Sequence, residues 1–143
     1  MPKSLGIEIE LAMPFARPLE VARSALKAEG FGILTEIDLQ ATFKEKLGHE
    51  FRPYVILGAC NPPLAYSAVS SDAQVGLLLP CNVTVEEAQS GGSVVRLTNP
   101  EVLLEAGAGG AAVSAAVWEV ARDAGARMAR VAATLRAAPS SRA

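Results

Sequence analysis

With 143 residues, half of them apolar and a fifth charged, the chain has the size and composition of one autonomous globular domain and too much hydrophobicity for a disordered one. Thirteen Lys and Arg stand against 15 Asp and Glu, a net charge of −2 spread along the sequence. That balance excludes the strong positive field on which nucleic-acid and anionic-membrane binders rely. Two cysteines are too few for a disulfide framework and are expected as free thiols in a reducing compartment. Charges interrupt every apolar run before 18 residues, and Glu8 falls too early for an export segment, so the expected setting is the cytoplasm, without a membrane.

Leu5, Ile7, Ile9 and Leu11 alternate with Gly6, Glu8 and Glu10, the period of a strand with one buried and one wet face. Pro18 opens a helix that Gly30 ends. A second strand follows, with Phe31, Ile33, Thr35, Ile37 and Leu39 on one parity. Asp38 caps a short helix carrying Leu39, Phe43 and Leu47, stopped by Gly48. The apolar run Tyr54 to Cys60 is a third strand, and Asn61-Pro62-Pro63 reads as an N-cap with prolines in the first turn of a third helix reaching Ser70-Ser71-Asp72.

Extended chain is expected again from Val75 to Glu87, with a bulge, a bend or a sheet edge at Pro80, which has no N–H to donate to a ladder. Ser90-Gly91-Gly92 turns it into a closing strand, Ser93 to Thr98. Asn99-Pro100-Glu101 starts a further helical segment that ends at Gly107 to Gly110. Val113, Val117, Val120, Ala124, Met128, Val131 and Leu135 then recur in steps of three and four, the stripe of a long amphipathic helix. Because the first two strands alternate cleanly, an antiparallel or mixed sheet of about five strands, with helices packed on it, is favoured over buried parallel crossovers. The expected organisation is one α+β domain over residues 1–138 with a tail at 139–143.

Chemistry concentrates at two Cys-Asn dipeptides. Cys60 abuts a helix start, where unpaired N–H groups and the helix dipole favour thiolate. Cys81 lies beside the Pro80 break. If their strands are neighbours, the two sulfurs could share a pocket, as a redox pair or as ligands of a soft metal. The bland alternative is two buried structural cysteines. His49, the only histidine, sits in a turn and has no evident partner. Glu36 and Asp38 on the second strand, like Glu8 and Glu10 on the first, read as the wet face of a sheet, with Glu36 retained as a pocket candidate. Gly107 to Ala112 matches G-x-G-x-x-A but follows a helical segment, where a dinucleotide site requires a strand.

Gly30-Phe31-Gly32-Ile33-Leu34-Thr35-Glu36-Ile37-Asp38, Lys44-x-Lys46-Leu47-Gly48, Tyr54-x-Ile56-Leu57-Gly58-Ala59-Cys60-Asn61-Pro62 and Leu78-Leu79-Pro80-Cys81-Asn82-Val83 occur in that order. Together they resemble the bacterial and archaeal family known as domain of unknown function 302, over about residues 5 to 135. The resemblance implies a compact α+β fold similar in topology to the TATA-binding-protein-like class, often homodimeric, and no established reaction. Cys60, Asn61, Cys81, Asn82, Glu36, Asp38 and Lys46 match the family pattern.

The expected function is a small-ligand or soft-metal binding or sensing module. Its candidate site residues are Cys60, Asn61, Cys81, Asn82, Glu36 and Lys46, with Cys60 and Cys81 as the metal ligands if a metal is held. The alternatives are a thiol, sulfur-transfer or redox enzyme using Cys60 as nucleophile and Cys81 as resolving thiol, and an interaction domain with inert cysteines.

Overall fold

The computed structural model describes residues 4–108 and 113–139. Residues 140–143 of the expected tail, and most of the glycine-rich segment after Gly107, lie outside the described residues. In chain order the elements are β1 (Gly6–Leu11), α1 (Ala16–Ala28), β2 (Gly32–Asp38), α2 (Leu39–Leu47), β3 (Tyr54–Cys60) and α3 (Pro62–Ser71). A 3₁₀ segment (Ala73–Leu78) follows, then β4 (Cys81–Glu87), β5 (Ser93–Thr98), α4 (Pro100–Ala108) and α5 (Ala115–Ala137). The five strands form one antiparallel sheet in the order β1-β5-β4-β3-β2. The architecture is therefore α+β with a long C-terminal helix, as the clean alternation of the first strand implies.

Local signals set the helix ends. The Asp38 carboxylate accepts from the Ala41 N–H at 2.9 Å, and Gly48 closes α2 in the left-handed region at φ +69°, where a side chain would be strained. Asn61 caps α3 by accepting from the Leu64 N–H, with Pro62 and Pro63 in the first turn. Ser114 caps α5.

One sheet face is covered by α1 and α5. Ile9, Leu57, Val83, Val85, Val95 and Leu97 from the strands meet Leu26 of α1 and Met128, Val131 and Leu135 of α5 in the main core cluster. A second, smaller cluster gathers Leu104, Val117 and Ala121, with Leu78 and Trp118 packed against it.

Across the opposite face the register aligns Glu8, Arg96, Thr84, Ile56 and Ile37 in one row, and Glu10, Val94, Glu86 and Tyr54 in the next. Glu86 is only 6% exposed, an expensive position for a lone carboxylate. It accepts from Arg52 Nε at 2.6 Å and from Arg96 Nη1, while Arg96 Nε donates to Glu8 at 2.7 Å. Arg52 also lies over the Phe51 ring.

Two expectations are corrected. The ladder between β2 and β3 shifts register between Ile33 and Thr35, so the parity of β2 reverses midway. Ile33 packs toward the core, whereas Thr35 and Ile37 pair with Gly58 and Ile56 on the opposite face. Glu36 and Asp38 are thereby placed on the helix side of an edge strand, away from Glu8 and Glu10, and Glu36 pairs with Arg23 of α1 at 2.5 Å. Residues 75–78 are not extended: they belong to the 3₁₀ segment, whose start is capped by Asp72 through the Gln74 N–H. The ladder of β4 begins at Cys81, directly after Pro80.

Burial pushes the Glu86 carboxyl up, but the hydrogen bonds and charges of Arg96 and Arg52 outweigh it and hold the carboxyl below its ordinary value. A group depressed in the folded state contributes stability that is fully present above its unfolded pKa, about 4.3. That contribution is lost as pH falls through the lower folded value. Glu86→Gln should therefore lower stability at pH 7 and flatten its decline in acid, as read by urea titrations from pH 7 to pH 3. Parallel curves for variant and parent would show that the carboxylate is not coupled to folding.

Candidate functional site

The ends of β3 and β4, next to the N-terminus of α3, border a partly open cavity of about 70 Å³. Ala59, Cys60 and Cys81 contribute from the sheet, Asn61 and Leu64 from the start of α3, and Leu104, Val117 and Ala121 from the smaller core cluster. Ala65 and Ala68 of α3 and Ala121 and Ala124 of α5 also line it, at helical spacings of three that put each pair on one face. Among the described residues, no charged side chain lines the space.

Ala59 is the direct register partner of Cys81, so Cys60 and Cys81 stand at the ends of adjacent strands. Cys81 shares the parity of Val83 and Val85 and is buried, whereas Cys60 follows that of Ile56 and Gly58 and is half-buried. Both are free thiols. Burial, and secondarily the proximity of Cys60, pushes the Cys81 thiol up to about 11, because a thiolate there would lose its hydration.

Asn61 has a structural task at the cavity rim. Its carboxamide oxygen caps α3, and its Nδ2 donates at 3.3 Å to the Glu29 carbonyl. The same carbonyl accepts from Arg127 Nη1 of α5 at 2.9 Å. Gly30, at φ +86°, leaves room here, since a Cβ would stand 2.9 Å from Asn61 Nδ2. The turn after α1, the start of α3 and the middle of α5 are thus tied at one point.

Of the sequence candidates, Cys60, Asn61 and Cys81 come together at this cavity. Asn82 does not: it borders a different recess, with Tyr54, Thr84 and Arg96, and its carbonyl accepts from the Thr98 hydroxyl at 2.5 Å. Glu36 is engaged with Arg23 at the sheet edge, and Lys46 is exposed on α2. His49 is exposed. Among the described residues, no group of three or more His, Cys, Asp or Glu side chains is placed to hold a metal ion. Sequence reasoning missed the helical half of the lining. The available signal was the spacing of small residues, Ala65 with Ala68 and Ala121 with Ala124.

Fold and site together define a class: an antiparallel-sheet α+β protein with helices on one face and an apolar cavity at the ends of β3 and β4, where the helical layer leaves the sheet. Residues 7–135 match the family described as Domain of unknown function DUF302, and the chain belongs to that family. It is similar to the crystal structure of the uncharacterized conserved protein DUF302 from Bacillus stearothermophilus, with a TM-score of 0.81 and 27% identity over 94% of this chain and 100% of that one. No curated protein matches the chain.

The two thiols should differ in reactivity. With its thiol near 11, Cys81 holds on the order of one thiolate in ten thousand at pH 7, and the thiolate is the nucleophile. Alkylation followed by peptide mass mapping should label Cys60 well ahead of Cys81 at neutral pH, with Cys81 catching up only in strong alkali. Equal rates at pH 7 would refute the assignment.

Proposed function

We propose that the protein is a ligand-binding or sensing module whose ligand occupies the cavity edged by Cys60, Asn61 and Cys81. The observation that carries this is the cavity itself: an apolar space at the junction of two core clusters, with the two thiols on its border. Interiors are ordinarily packed to crystal density, and a concave apolar pocket with a few polar groups at its edge is the usual form of a small-molecule site. A soft metal ion is the less favoured occupant, since among the described residues no group of three or more His, Cys, Asp or Glu side chains is placed to hold one, and Cys60 and Cys81 would bind it alone.

A second function class has its own supporting observation. Cys60 and Cys81 lie close enough that one raises the pKa of the other, so a thiol or sulfur-transfer activity would use half-buried Cys60 as nucleophile and Cys81 as the resolving thiol. Two free thiols fit a reducing, cytoplasmic setting. Nucleic acid and membrane are not proposed as partners: the net charge is −2, and no helix among the described residues is long and apolar enough to cross a membrane.

We further propose a homodimer. Leu34, the extra residue of the β2 bulge, is 66% exposed, and Ile37 and Leu47 on β2 and α2 are exposed too. Apolar surface of this kind marks interfaces, and a two-fold pair is the commonest closed solution.

Native mass spectrometry of the freshly purified full chain tests these proposals together, with duplex DNA as a negative control. The expected species is twice 14.8 kDa with a retained non-covalent compound. A mass of 14.8 kDa alone at every concentration would remove the dimer, and bare chains at every stoichiometry would remove the ligand. A covalent adduct on Cys60 would favour the thiol chemistry.

A further inference from the structure

The cavity's lining bears on the chemistry of what it holds. Nineteen of the described residues border it, and none of these is charged. Its polar side chains are nearly all engaged: the Asn61 amide bonds the Leu64 N–H and the Glu29 carbonyl, and the Thr98 hydroxyl donates to the Asn82 carbonyl. Two thiols remain, which are weak hydrogen-bonding groups. An ion entering such a space would give up its hydration and find no counter-charge. A ligand rich in hydrogen-bonding groups would leave them unmatched.

Size is bounded as well. A water molecule needs at least about 10–15 Å³ of such space, so 70 Å³ corresponds to roughly five water-sized positions. The alanines at 65, 68, 121 and 124 are what keep the space open: each is the smallest side chain that still forms helix well, and larger apolar residues there would close it.

We propose that the cavity takes a small neutral apolar molecule of about five to eight non-hydrogen atoms, a single hydrocarbon ring or a short unbranched chain, which joins the two core clusters into one. This rests on the ligand-binding function proposed above and specifies its ligand class. The ligand makes van der Waals contact with the alanine faces of α3 and α5 and lies against the thiol edge without reacting with it.

The experiment uses the full-length protein and four probes, benzene and cyclohexane against benzoate and hexanoate, read by thermal unfolding. At tenfold saturation the neutral probes should raise the midpoint by about 3–5 °C, and the carboxylates should not. Ala121→Met, which projects a side chain into the space, should abolish the benzene shift. Ala133→Met, on the exposed side of α5, should keep it. If Ala121→Met does not fold, Ala68→Val, which fills from the opposite wall, takes its place.

Stabilisation by benzoate or hexanoate that disappears in the filled variant would overturn the neutral class while leaving a ligand-binding cavity standing. No shift with any probe, while native mass spectrometry still finds a retained compound, would do the same. No shift together with bare chains in the mass spectrum would overturn both. Shifts that persist in both Ala121→Met and Ala68→Val would place binding elsewhere and remove the proposal.

Discussion

Helix α5 is longer than the sheet it covers. Its 23 residues span about 35 Å at 1.5 Å per residue. The strands, of six or seven residues, reach only about 20–23 Å, and the five of them side by side span about 19 Å between the outer axes. No placement of α5 on this sheet supports it along its whole length. The C-terminal half, with Met128, Val131 and Leu135, packs on the strands. The N-terminal half, with Val117 and Ala121, overhangs and packs on Leu104 of α4 and Leu78 of the 3₁₀ segment. Two core clusters follow from that change of support, and the cavity lies where one gives way to the other.

The opposite face obeys a different constraint. Glu86 sits mid-row at 6% exposure, a position tolerable only because Arg52 and Arg96 flank it. Arg96 is held in turn by Glu8, so the central strands β4 and β5 are linked to the edge strand β1. On the other edge the bulge in β2 turns Glu36 toward Arg23. Leu34 is left without a cross-strand partner, and a bulge of this kind also blunts a free sheet edge against further pairing.

Much of this was legible in the sequence wherever the signal is local. Asp38 and Asn61 each cap a helix with the side chain the cap position requires, Gly48 ends α2 in the left-handed region, and the apolar stripe of α5 is the one that is buried. What could not be read is set by partners distant in sequence. The β2 bulge is a property of pairing with β3, so a regular alternation from Phe31 to Leu39 concealed the reversal at Leu34. Leu77 and Leu78 have the composition of a strand, yet Asp72 nucleates a 3₁₀ turn, and Leu78 finds its partners on α4 and α5. The two Cys-Asn dipeptides lie at the ends of neighbouring strands, and Cys60, Asn61 and Cys81 border one cavity there. Treating each dipeptide as a unit nonetheless overlooked that adjacent strand residues face opposite ways, so that Cys60 shares the parity of Asn82 and Cys81 has the other.

The cavity and the thiol are physically linked. An apolar space of about 70 Å³ interrupts the close packing that the rest of the core achieves. The same apolar surroundings desolvate Cys81 and raise its pKa. An apolar occupant would add packing contacts and, by keeping water from the thiol, disfavour the Cys81 thiolate further. A resolving thiol needs the opposite, since it must ionise to attack a disulfide. Occupancy of the cavity and redox use of Cys81 therefore oppose one another, and a protein that did both would do them in different states. Cys60, half-buried at the rim and beside the start of α3, is the thiol whose surroundings are compatible with either.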